Sequence, residues 1–157
     1  MLFKLALFFH IISAIFWVGG MLFLVLVIAP YLKTLSDPKE KSRIYQTVGT
    51  QYRFWGWVAI ITLLVTGPVM LSTFYGIPPQ KIFDPSLHSS GFGRALAIKL
   101  ALVILIVVSA LVHDFWIGPR ARNSPGFSKI ARLFGRVNLI IALLIVVFAV
   151  ILRAGGI

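Results

Sequence analysis

The sequence predicts an all-α membrane protein, an antiparallel bundle of four transmembrane helices with both termini on the outer side. Three observations carry this prediction. First, the 157-residue chain is 59% hydrophobic and only 12% charged, with a mean hydropathy of +0.98, whereas a soluble domain carries roughly 25% charged residues. Second, the apolar residues fall into four runs, about 3–32, 54–75, 95–118 and 135–154. Each approaches or exceeds the ~20 residues needed to cross the hydrocarbon core. Third, the basic residues are asymmetric. Lys33, Lys39, Lys41, Arg43, Arg53, Arg120, Arg122, Lys129, Arg132 and Arg136 fall in or beside the 1–2 and 3–4 connections, while Lys4, Lys81, Arg94, Lys99 and Arg153 lie at the other end. The positive-inside rule places the first group in the cytoplasm.

The first run is too long for a cleavable signal peptide, and no small-x-small site leads from it into a polar region. Pro30 marks its end. The polar segment 33–53 reads as a loop in which Ser36 or Asp37 caps a short interfacial helix. The second run contains Gly67-Pro68, and a proline there is expected to kink the helix and free a carbonyl. Pro78, Pro79, Pro85, Gly91 and Gly93 make 76–93 a turn-rich outer loop. The third run stops at Gly118-Pro119, the basic segment RARNSPGFSK connects it to the fourth, and the fourth ends at Arg153. No internal repeat is evident, and residues 1–157 read as a single transmembrane domain. Trp55, Trp57, Tyr75 and Trp116 fall near span ends, as an interfacial aromatic belt requires, but Trp17 falls near mid-membrane.

Net charge is +11 and there is no cysteine. The charge distribution points to the positive-inside rule and to anionic lipid headgroups, not to nucleic acid. The missing thiols exclude disulfides, iron–sulfur clusters and thiolate metal ligation. His10 then stands out. Between Leu2 and Leu32 only Lys4 and His10 are ionisable, and an ionisable group deep in a span is costly enough to suggest function. Imidazole is also a common metal and haem ligand.

Helical spacing puts His10, Ser13, Trp17, Gly20 and Leu24 on one face of the first span, and Thr62, Thr66, Met70 and Thr73 on one face of the second. Lys99, Ile106, Ser109 and His113 share a face of the third, and Asn138, Ala142, Ile145, Ala149 and Arg153 of the fourth. Depth then sorts these residues. His10 belongs to the outer third and His113 to the inner end, roughly 20 Å apart at helical rise, so the two cannot ligate one haem. Met70, Lys99, Arg94 and Arg153 share the depth of His10. A haem b held by His10 and Met70, with Lys99, Arg94 and Arg153 pairing its propionates beside Trp17, is the leading expectation. Copper held by His10 and Met70, with Met21 as a further sulfur, is another. His113 is a separate inner-side metal candidate, or part of an inner polar cluster of His113-Asp114 with Arg120 and Arg122. The bland alternatives are a structural hydrogen bond for His10, packing for Met70 and snorkelling for Lys99 and Arg153.

The segment FHIISAIFWVGGMLFLVLV, with its histidine, a tryptophan seven residues on and then glycines, resembles the first helix of copper resistance D (CopD) membrane domains. RFWGWVAIITLLVTGPVML and GFGRALAIKLALVILIVVSALVHDFWIGPRAR resemble two further helices of that family, one beginning Arg-Phe and one carrying Gly-Arg-x-Leu-x-x-Lys-Leu. The first-helix histidine and the Lys99-Leu100 helix ending in His113 are also similar to HemJ-type protoporphyrinogen oxidases. RLFGRVNLIIALLIVVFAVI resembles their final Arg-x-x-Asn helix, although Arg136 and Asn138 are here spaced Arg-x-Asn and the usual Glu and Pro do not follow. The first resemblance implies copper uptake or handling. The second implies haem, electron transfer or tetrapyrrole oxidation, with a quinone or redox protein as partner. Both imply a multi-pass protein of a bacterial or archaeal inner (cytoplasmic) membrane, in contact with membrane lipids. A homo-oligomer, or a cofactor-free accessory subunit of a larger membrane complex, suits a chain with so little outside the bilayer.

Overall fold

The computed structural model describes residues 1–121 and 124–157. Four long helices account for most of them: α1 (Leu2–Thr34), α2 (Pro38–Phe74), α3 (Gly91–Ala121) and α4 (Pro125–Arg153). All four are long and apolar enough to cross a membrane, and no strand occurs among the described residues. Arg122, expected in the inner polar cluster, lies outside the described residues.

The helices extend beyond the apolar runs, and two expectations change. Pro30 and Gly118-Pro119 do not end their helices; α1 continues to Thr34 and α3 to Ala121. A proline inside a helix lacks an N–H and pushes its ring against the carbonyl four residues earlier. Here both prolines follow a wider, π-helical turn, Leu24–Ile28 before Pro30 and Val112–Ile117 before Pro119. Opening the turn relieves the ring's clash without breaking the helix. The second change concerns 38–53, which is not a separate interfacial helix but the first turns of α2. Asp37 is its N-cap, accepting a hydrogen bond from the Lys39 N–H at 2.9 Å. Pro68 is accommodated inside the same continuous helix.

The helices pack as two antiparallel hairpins. In the first, Phe3 stacks on Phe74 with ring centroids 4.7 Å apart, and Phe16 stacks on Tyr52 at 6.2 Å. In the second, Ser109 of α3 donates to Asn138 Oδ1 of α4 at 2.5 Å, satisfying a buried amide. A core of Met21, Ile106, Leu139, Ile141 and Ala142 joins α1 to the second hairpin. Large side chains such as Ile15, Leu26, Val65, Ile104, Ile140 and Val150 point outward. In water that surface would be prohibitive; in lipid it is the solvent-facing side.

One end carries both termini and the 75–90 connection; at the other lie the 35–37 connection, the end of α3 and the start of α4. We call these the terminal end and the basic end. At the terminal end, Asp84 caps the one-turn helix Pro85–His88, accepting from the Ser86 N–H at 2.9 Å and the Ser86 hydroxyl at 2.8 Å. The Ser86 hydroxyl first and its backbone N–H second hold the Asp84 carboxyl below the usual carboxylate range. The cap therefore contributes fully above the ordinary carboxylate pKa and is lost as pH falls through the lower folded value. An NMR titration should find the Asp84 midpoint below that of an exposed aspartate, with Ser86 amide protection falling in the same pH range.

Candidate functional site

His10 is fixed by one contact that also decides its chemistry. Its Nδ1 lies 2.8 Å from Thr66 Oγ1 across the α1–α2 interface, and that oxygen lies 2.7 Å from the Thr62 carbonyl. Two oxygens at 2.7 Å need a proton between them, and a carbonyl has none to give. The Thr66 hydroxyl therefore donates to Thr62, and its oxygen accepts from His10 Nδ1–H. The imidazole is the Nδ1–H tautomer, which leaves the Nε2 lone pair free to bind a metal. Thr66 is buried, so the ring is held from a rigid position. The neighbouring Gly67 packs beside it: a Cβ there would sit 3.6 Å from His10 Cε1, an ordinary van der Waals contact.

The other predicted residues divide into three groups. Met70 lies one turn beyond Thr66 on the same face of α2, and Lys99 lies about two turns into α3; among the described residues the hydrogen-bond partner of His10 is Thr66, not either of these. Arg94 and Arg153 hold the terminal end together instead. Arg94 donates to the Ile157 carbonyl at 3.2 Å, and the Arg153 guanidinium sits 6.0 Å from the centroid of the Phe74 ring. Trp17 and Met21 line a cavity at the basic end, about 10 and 16 Å deeper than His10 at helical rise. Met21 is also 8% exposed in the core.

His113 is far from His10. Along α2 the residues that meet its neighbour Asp114 lie nine and thirteen positions before Thr66, or about 14–20 Å. His113 Nδ1 contacts Asp114 Oδ1 at 2.8 Å. The Trp57 indole donates to Asp114 Oδ2 at 2.9 Å, and Arg53 donates to the Asp114 carbonyl at 3.2 Å. The inner polar cluster thus exists, but α2 supplies its partners. Arg120, expected in it, turns away to donate to the Trp116 carbonyl at 2.8 Å, with its guanidinium 4.8 Å from that indole's centroid. The expected belt loses Trp57 to the interior, while Trp55 and Trp116 remain exposed.

Two connected cavities open around this cluster. One of about 190 Å³ lies between Trp17, Tyr52, Trp57 and Ile60. A larger one of about 570 Å³ lies toward the basic end, between Lys33, Lys41, Arg53, Arg132 and Arg136. His113 and Asp114 line both; His10 lines neither. Tyr52 closes the smaller cavity against α1, its hydroxyl donating to the Trp17 carbonyl at 2.5 Å. Sequence reasoning missed Tyr52, Arg53 and Trp57 as site residues. The available signal was that Arg53 and Trp57, four residues apart, share a face of α2.

Among the described residues no group of three or more His, Asp or Glu side chains gathers as a metal site. Any ion at His10 would have one imidazole and whatever sulfur or water joins it.

Comparison with known proteins adds to this geometry. The sequence profile of copper resistance protein D (CopD) matches residues 46–152. An uncharacterized protein of Aquifex aeolicus (strain VF5) is 37% identical over 153 residues, covering 97% of this chain and 96% of that protein. The copper transport protein CutJ of Bacillus subtilis (strain 168) is 26% identical over 141 residues, covering 90% of this chain but 24% of CutJ. The inner membrane protein YebZ of Escherichia coli (strain K12) is 27% identical over 147 residues, covering 89% of this chain and 46% of YebZ. The chain therefore spans about a quarter of CutJ and under half of YebZ, though nearly all of the Aquifex protein. No solved structure matches. The profile covers more than half of the chain, across α2, α3 and α4, and this four-span membrane protein belongs to the CopD family.

Proposed function

We propose that this protein handles copper within the membrane, binding the ion in transit through His10. The observation that carries the reading is the His10–Thr66–Thr62 chain, which leaves Nε2 as a free donor on an otherwise apolar helix. Membership of the CopD family and the likeness to CutJ support copper as the ion. Met70, one turn beyond Thr66, is the nearest sulfur along α2, and an imidazole with a thioether suits Cu(I). Lys99, a cation that its sequence position assigns to the depth of His10, opposes a resident cation there. A weakly held ion suits passage better than storage.

That same charge is the one observation that favours a second reading, haem b with His10 as an axial ligand and a propionate on Lys99. The donor set offers one axial nitrogen and one cation for it. The two cavities at the basic end do not include His10 in their walls. An electron-transfer or oxidoreductase role belongs to this second reading alone.

The test is metal analysis and visible spectroscopy of protein purified from copper-supplemented membranes. Copper is expected without iron. It should be lost in His10→Ala and retained in His113→Ala. Thr66→Val removes the acceptor that sets the tautomer and should weaken copper binding by about tenfold or more. Iron with a Soret band that shifts on reduction would replace copper with haem. Copper retained in His10→Ala would remove His10 from the site.

A further inference from the structure

We propose that the cavity at the basic end is a binding site for an anionic phospholipid, its phosphate held by Arg132, Arg136 and Lys41 and one acyl chain entering the apolar compartment beside Trp17. This is independent of the copper reading, which concerns the opposite half of the bundle.

Three observations carry it. The first is charge. Lys33, Lys41, Arg53, Arg132 and Arg136 line the larger cavity, and Asp114 is the one carboxylate among the described residues that line it. That carboxylate is already engaged by Trp57 and His113, and Arg53 is directed to the Asp114 carbonyl. Among the described residues Lys33, Lys41, Arg132 and Arg136 take part in no ion pair. Arg132 and Arg136 are four apart on α4, so their charges repel along one helix face. An anion between them removes that cost.

The second is shape. The two cavities share Arg53, Arg132 and Arg136 in their walls, and beyond them the smaller one is lined by Trp17, Leu24 and Ile28, so an anionic group at the arginines can continue into an apolar tail. Glycines keep this passage wide: a Cβ at Gly49 or Gly135 would meet nothing within 4 Å, and both positions line the smaller cavity. A free phosphate would use the mouth and leave the inner compartment unfilled.

The third is position. The mouth lies where four membrane-spanning helices emerge at their more basic end, which is headgroup depth. Basic pockets between spans on the cytoplasmic side are suited to anionic lipid headgroups, and the lipid reaches this one without leaving the bilayer.

The test uses the whole protein, purified in a neutral detergent and stripped of lipid, with thermal unfolding and native mass spectrometry as readouts. Phosphatidylglycerol at a hundredfold excess over its Kd should raise the melting temperature by about 5 °C or more and remain bound in the gas phase. Phosphatidylcholine and inorganic phosphate should do neither. In Arg132→Gln/Arg136→Gln the phosphatidylglycerol shift should vanish, while Lys81→Gln at the terminal end should keep it. Should the double variant fail to fold, the wild-type shift decides: it must shrink as salt is raised from 0.05 to about 0.5 M, because screening weakens an exposed ionic contact. An equal shift with phosphatidylcholine, a phosphatidylglycerol shift retained in the glutamine variant, or one indifferent to salt overturns the proposal. So does full stabilisation by inorganic phosphate, which would mark an ordinary anion site.

Discussion

Replacing Gly93 with alanine is expected to destabilise the protein by about 3 kcal/mol, at the upper end for overpacking a tight contact. A Cβ at this position would lie 1.7 Å from the Leu87 carbonyl oxygen and 2.5 Å from its carbon. Both are backbone atoms of the short helix Pro85–His88, so no side-chain rotation relieves the clash. Either that helix or the start of α3 must move. The Gly93 N–H also receives the Ser90 Oγ cap at 3.0 Å, which the same displacement weakens. The consequence extends past stability, because Gly93 lies in the first turn of α3, next to Arg94, which donates to the Ile157 carbonyl. Thermal unfolding in detergent checks the prediction. Gly19→Ala is the control: a Cβ there meets nothing within 4 Å, and alanine's better helix propensity should make it neutral or stabilising by up to about 1 kcal/mol. Equal melting temperatures for the two variants would refute the close approach at Gly93.

Asp114→Ala should cost a similar amount, about 2–4 kcal/mol. The carboxylate accepts from the Trp57 indole at 2.9 Å and pairs with His113 at 2.8 Å, and its side chain is 17% exposed. Removing it strands two partly buried groups. Each lost partner of that kind costs about 1–3 kcal/mol. Asp114→Asn keeps an acceptor oxygen and should cost roughly half as much. Trp57→Phe removes a single donor from a carboxylate that keeps its other partner, and should cost about 1 kcal/mol. Chemical unfolding of the three variants should give that order. An alanine variant as stable as wild type would mean that the cluster merely caps the bundle's end.

Several features were legible because they depend on composition and local period alone. Four apolar runs in a chain with almost no interior charge leave helical spans as the economical solution, since every backbone N–H and C=O must be satisfied within its own segment. The split of basic residues between the two ends followed from their positions along those runs. The separation of His10 from His113 followed from helical rise. The helix ends were misread for a physical reason. A proline ends a helix unless the preceding turn can widen, and whether it does depends on what packs around that turn. The π-helical turns at Leu24–Ile28 and Val112–Ile117 have no local sequence signature of their own.

By itself, then, the sequence determined a membrane bundle, its spans, the asymmetry of its ends and the one histidine whose burial needed a reason. Only the tertiary structure decided partners. That His10 meets Thr66, that Asp114 meets Trp57 and Arg53 rather than Arg120, and that Trp17 and Met21 line a cavity with Tyr52 and Trp57 all depend on how one helix is shifted and rotated against another. Lipid-facing and core-facing residues are equally apolar in a membrane protein, so hydrophobic pattern cannot encode that rotation. It is set by a few small and polar residues, such as Thr66, Ser109, Asn138 and Gly20, whose contacts exist only once the helices have met.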